Sequence, residues 1–275
     1  MNKHEYAEEV CKYINARGYL TEITDHHRNN GSYVAIVVRR SEDEKVAPVF
    51  TIGDEPEEPI IFANRILDFV PANINTDILQ DIMSDRETIL NRCYYVLVNS
   101  ELNKDRDTLV KRQINKTLEL QFKVDVTDVL DDARFTLEHK HIDNLGISEE
   151  ELYVRAYCNT MDKFPYSLQS MSEVIPCDIL DEIPQMYVLT NNTKINGAGA
   201  ILYKGIKEVL ENKVGDDVIA IPSSVHEWII IPAWLGEKET IAAMIRDVNS
   251  SVLSPEDILS DRPYELISDG VLFEL

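Results

Sequence analysis

The sequence predicts an α+β fold, antiparallel sheets backed by helices, and three observations carry that expectation. Leu118 to Val126 alternates apolar and polar residues with period two, the signature of a strand with one buried face. Asn29-Asn30-Gly31 separates two strand-like runs and suits a tight hairpin, because Asn and Gly tolerate positive φ. From about Glu182 the pattern settles into a ββαββα order. Hairpins in succession, instead of strands alternating steadily with helices, argue against a doubly wound sheet.

Taken in order, Tyr6, Val10, Tyr13 and Ile14 recur at helical spacing, so residues 3–17 should form a helix that Gly18 terminates. Strands at Tyr19 to His27, Tyr33 to Arg40 and Val46 to Ile52 make a meander, and the acidic, proline-bearing stretch Gly53 to Pro59 is a surface loop. A helix is expected over Asn73 to Asn91, a strand at Tyr94 to Val98, and a short helix capped by Asn99 or Ser100. Arg134 to His141 should pair with the alternating strand. Ser148-Glu149-Glu150-Glu151 is a capping box that opens a helix through about Met161.

The remaining expectations are strands at Met186 to Thr190 and Ala198 to Tyr203, a helix over Gly205 to Lys213, strands at Val218 to Ile221 and Glu227 to Ile231, and a helix over Glu237 to Asn249. A last short helix begins at Ser254, with Pro255 where its missing N–H costs nothing. Prolines and acids around Pro176 and Pro184 mark a boundary, giving an N-terminal region 1–180 and a C-terminal region 181–275.

With 44% apolar residues the chain can bury a full core. The cysteines Cys11, Cys93, Cys158 and Cys177 lie far apart, without a C-x-x-C pair, and read as reduced, mostly buried thiols of a cytoplasmic protein. No secretory signal or run of some 20 apolar residues is present, so neither export nor a membrane span is expected. The net charge of −22, spread over both halves, opposes attraction to nucleic acid and favours a basic protein partner.

The segment Ile221 to Glu227 gathers a hydroxyl pair, an imidazole and a carboxylate on one loop. Ser223 or Ser224 activated by His226, with Glu227 or a distant acid orienting the ring, is the chemistry of covalent acyl transfer. Against it, such partners normally converge from separate parts of a chain, and no G-x-S-x-G elbow occurs. The bland reading has the serines satisfying turn amides. A search for H-E-x-x-H from His226-Glu227 ends at Ile230.

His139 and His141, two apart on the expected strand, would project to one side, which can seat a metal, but no third ligand can be assigned. His26 and His27 would face opposite ways. Asn191 and Asn192 are candidates to present amides to a ligand, although turns favour these residues anyway. Gly197-Ala198-Gly199 lacks the third glycine and the strand-to-helix setting of a dinucleotide loop, so no cofactor is indicated. Trp228 and Trp234 read as core or interface anchors.

Several segments are similar to a known family. Tyr94 to Asn99 with Asn103-Lys104, Gly146 to Leu152, Met186 to Asn191, Pro222 to Glu227, Val248-Asn249 and Pro255 to Asp261 resemble an uncharacterised bacterial domain-of-unknown-function family. The resemblance covers most of the chain from residue 90 onward, and Ser-Ser-Val-His-Glu is its most distinctive stretch. It implies a small cytoplasmic protein of anaerobic bacteria associated with mobile elements, and it brings no catalytic residues. The sequence therefore points first to a non-enzymatic protein-interaction module linked to mobile elements or defence. The competing reading is a hydrolase built on the 222–227 loop, and a small-molecule sensor is a third.

Overall fold

The computed structural model describes all residues except 45–46, 55, 71–75, 131–132, 175–185 and 216. The chain is α+β and forms two compact units, Met1–Asp85 with Val126–Ala133, and Arg86–Asp125 with Arg134–Leu275. The boundary expected near 180 falls outside the described residues, and the strands flanking it on either side are neighbours in one sheet.

In the first unit, helix α1 (Lys3–Asn15) is opened by a capping box between Asn2 and Glu5. Strands β1 (Leu20–Arg28) and β2 (Gly31–Arg39) pair antiparallel around Asn29-Asn30, and Asn30 takes the positive φ of 58° that asparagine tolerates. Strand β3 (Val49–Thr51) joins β2. Two expectations fail here. Pro59 does not end a loop but starts helix α2 (Pro59–Phe69), whose Phe62, Ala63 and Ile66 close the core over Tyr6, Val10 and Ile14 of α1. The helix expected over 73–91 is broken at Asp85 into α3 (Thr76–Ser84) and α4 (Arg86–Arg92), the latter part of the second unit, and its start lies outside the described residues.

The second unit carries two antiparallel sheets. Strands β4 (Cys93–Asn99), β5 (Lys111–Gln113), β6 (Leu118–Asp125) and β7 (Arg134–Thr136) form the smaller, with β6 at its centre. The alternation along β6 is real, with Leu118, Leu120, Phe122 and Val124 buried. Its polar face is closed as well: Glu119 and Gln121 are 3% and 2% exposed. Burying that face requires partners, and Gln121 donates to Glu119 at 3.0 Å while Lys111 stands 3.9 Å from it. Residues 100–105 form turns, not the expected short helix.

Helix α5 (His139–Asn144) replaces the end of the strand expected through His141. Helix α6 (Glu149–Lys163) begins as anticipated, the Ser148 hydroxyl accepting from the Glu151 N–H. Strand β8 (Tyr166–Ser170), a short helix α7 (Met171–Val174) and strand β9 (Tyr187–Asn191) follow. Ala198 to Tyr203 is not a strand: Gly197–Leu202 is a 3-10 helix. Helix α8 (Ile206–Val214), strands β10 (Val218–Ser224) and β11 (Glu227–Pro232), and helix α9 (Lys238–Ser251) match expectation closely.

The helix expected after Ser254 is a single 3-10 turn, Pro255–Asp257, and a terminal hairpin of β12 (Tyr264–Ser268) and β13 (Val271–Glu274) was not foreseen. The six-stranded sheet runs β13-β12-β10-β11-β9-β8. At one edge, β13 leaves Val271 and Phe273 exposed and buries Leu272, whose carbonyl accepts from the Asn115 side chain.

Candidate functional site

The distinctive Pro222 to Glu227 segment is the tip of the β10–β11 hairpin. Pro222 pairs with Trp228 beyond the stretch where β10 bonds to β12, so its missing N–H costs no ladder bond. The tip is bound on three sides. Thr190 Oγ1 donates to the His226 carbonyl at 2.7 Å, and the Ala198 N–H donates to the Val225 carbonyl at 3.1 Å. The Val225 N–H donates to the Asp257 carbonyl at 2.8 Å, and the buried Trp228 indole N–H donates to the Ala198 carbonyl at 2.8 Å. The 190–197 turn and the 222–227 loop are thus one assembly, closed by the 3-10 turn at Asp257.

The His226 ring sits at its centre. The Asn196 N–H donates to Nδ1 at 3.0 Å, so that nitrogen carries no hydrogen, and the ring proton lies on Nε2, which is 3.2 Å from Asp257 Oδ1. Ser224 Oγ accepts from the His226 backbone N–H at 3.0 Å, and Ser223 Oγ donates to Glu227 Oε1 at 3.3 Å. Neither serine hydrogen-bonds the imidazole. Both ring nitrogens are already engaged, which leaves the ring no lone pair with which to take a serine proton. Chemically the imidazole acts as a clamp that ties a turn amide to a carboxylate 31 residues further along the chain.

Gly197 is required by proximity. A Cβ there would lie 2.2 Å from Thr190 Oγ1 and 2.6 Å from both the Asn191 amide nitrogen and the His226 carbonyl oxygen. The turn before it is strained, with Lys194 at φ 59° and Asn196 at φ 51°. Asn191 is buried, and its side chain serves this turn. Its Oδ1 accepts from the Thr193 N–H and hydroxyl at 3.0 and 2.9 Å, and its Nδ2 donates to the Ile195 carbonyl at 3.0 Å. Asn192 is exposed, and its N–H bonds the Pro165 carbonyl. Asn191 thus spends its side-chain amide on the turn, while the Asn192 side chain is left at the surface.

His139 and His141 do not share a strand face. On α5 they are two residues apart and so splay around the helix. His141 Nδ1 accepts from the Glu138 N–H, and His139 lies 3.6 Å from Glu149. No group of three metal-ligating side chains occurs among the described residues. Cys11 and Cys93 are buried, Cys158 is exposed, and Cys177 lies outside the described residues.

A cavity of about 170 Å³ beside β4 has no counterpart among the features read from the sequence. Tyr94, Tyr95, Phe164 and Tyr203 wall it, with Asn196 and Gly199 of the clamped turn, and Arg134 is its one charged lining residue. Lys123 stands directly across the ladder from Tyr94. Burial pushes its ammonium down from 10.5 to about 8, and the guanidinium groups of Arg134 and Arg106 add to the shift. Between those values the folded chain binds fewer protons than the unfolded one, so stability climbs with pH through that window. Lys123→Met should stabilise the protein by about 1 kcal/mol at neutral pH. That gain should fade in alkaline solution, as urea unfolding at both pH values would measure.

No curated protein and no solved structure matches the chain. Residues 3–267 match the model of a family of unknown function, DUF5688, in agreement with the resemblance read from the Tyr-Val-Leu-Thr-Asn and Pro-Ser-Ser-Val-His-Glu segments. Because that match spans nearly the whole chain, the protein belongs to the DUF5688 family.

Proposed function

We propose that the chain is a non-enzymatic interaction module that binds a basic protein partner through the surface around Trp234. The observation that carries this reading is the exposure of Trp234, 79%, on the 3-10 turn between β11 and α9. Large aromatic side chains left in water are characteristic anchors of protein interfaces. On α9, Met244 and Val248 are exposed one turn apart, and Val252 at its C-cap is exposed as well, while Ile241 and Ile245 face the core. The helix and its N-cap carry Glu237, Glu239 and Asp247 against Lys238 and Arg246, and the net charge of −22 adds long-range attraction for a cationic partner.

The hydrolase reading has less support, because the imidazole it needs is engaged on both nitrogens. A setting in mobile-element or defence biology is part of the same proposal and rests on the resemblance alone. No described helix is long and apolar enough to cross a membrane.

Affinity capture from the native host with the full chain, beside Trp234→Ala, tests the reading. A basic protein retained by the wild type, and bound about tenfold more weakly by the variant once purified, is the expected result. Equal retention by both chains, or recovery of the bare protein alone, would overturn it.

A further inference from the structure

The cavity beside β4 holds chemistry that neither the Trp234 surface nor the His226 clamp uses. Four of its twelve lining residues are aromatic, Tyr94, Tyr95, Phe164 and Tyr203, and its single charged one, Arg134, has no ion-pair partner among the described residues. Lys123, across the ladder from the wall residue Tyr94, likewise has none. The nearby acids are otherwise occupied: Asp125 is held by Lys163, Glu138 by Lys140 at 2.6 Å, and Glu119 faces Lys111. Arg134 is exposed at the start of β7, so its guanidinium is open to an anion beside the cavity.

We propose that this cavity binds a small organic carboxylate with an apolar body, the ring or aliphatic part against Tyr94, Tyr95, Phe164 and Tyr203 and the anionic end toward Arg134 and Lys123. A guanidinium matches a carboxylate in planar, two-pronged geometry. The aromatic walls demand more than an inorganic anion, which would leave them wet. Size sets an upper bound, since an apolar cavity of roughly 150 Å³ accommodates benzene. The ligand is therefore one ring or a short branched chain. This proposal is independent of the interaction surface.

Benzoate is the probe, with benzyl alcohol and sulfate as controls, titrated into the full chain and followed by backbone amide NMR. Benzoate at millimolar concentration should shift the amides of Tyr94, Asn196 and Gly199, and Arg134→Gln should weaken it about tenfold while leaving any benzyl alcohol binding unchanged. A measurement on the wild type stands beside the variant: in protein with isotope-labelled, dimethylated lysines, benzoate should move the Lys123 titration to higher pH. Three results would overturn the proposal. They are silent cavity amides, benzoate bound equally well by Arg134→Gln, and sulfate shifting the same amides as strongly as benzoate.

Discussion

Gly197→Ala should cost the fold about 3 kcal/mol, near the upper end of what overpacking a tight site produces. The methyl would meet two backbone atoms at 2.6 Å, the Asn191 amide nitrogen and the His226 carbonyl oxygen, and neither can swing aside as a side-chain tip can. Relief requires the 190–197 turn and the hairpin tip to part. That movement breaks the Thr190–His226 hydrogen bond and stretches the contact from Ala198 to Val225. Urea unfolding would show a lower midpoint with an unchanged slope. A variant as stable as wild type would mean that the two segments do not approach this closely.

His226→Ala should destabilise by about 2 kcal/mol. It takes the acceptor from the Asn196 N–H and the donor from Asp257, while the backbone bonds of the tip remain. Ser223→Ala and Ser224→Ala provide the contrast, because a clamp works without a nucleophile. Each should cost well under the histidine change, since among the described residues the Ser223 hydroxyl meets Glu227 alone and that of Ser224 a local amide alone. A serine variant as damaging as His226→Ala would sink the clamp account.

Much of the architecture was legible because it is written in local chemistry. The alternation of Leu118 to Asp125, the Asn29-Asn30 turn and the Ser148 cap each specify an element without help from the rest of the chain. What was missed was in part blurred and in part signalled locally. Helix α2 was hidden because Ile60, Ile61 and Phe69 are apolar yet exposed, which blurs its face, although Pro59 at the first helical position was an available signal. The β12–β13 hairpin also announced itself through Asp269-Gly270, a pair suited to a two-residue turn, with Gly270 at φ 74°.

The site divides in the same way. Ser223, Ser224, His226 and Glu227 were singled out by residue type, and the structure keeps them close together, yet pairing them chemically required knowing where Asn196 and Asp257 lie. Ala198 to Leu202 has the composition of a strand yet is a 3-10 helix, and it starts at Gly197, where Thr190, Asn191 and His226 leave no room for a Cβ. Tyr94 and Arg134, 40 positions apart, share a cavity wall only because β6 brings β4 and β7 to its two sides.

The outermost strand β13 offers a row of hydrogen-bonding groups flanked by Val271 and Phe273, the kind of rim along which copies of a protein can zip together. Mutual repulsion between strongly anionic molecules keeps such rims apart at neutral pH and low salt. Acidification toward the isoelectric point or concentrated salt removes that barrier, so the colloidal behaviour of this chain is governed by the solution around it as much as by its own packing.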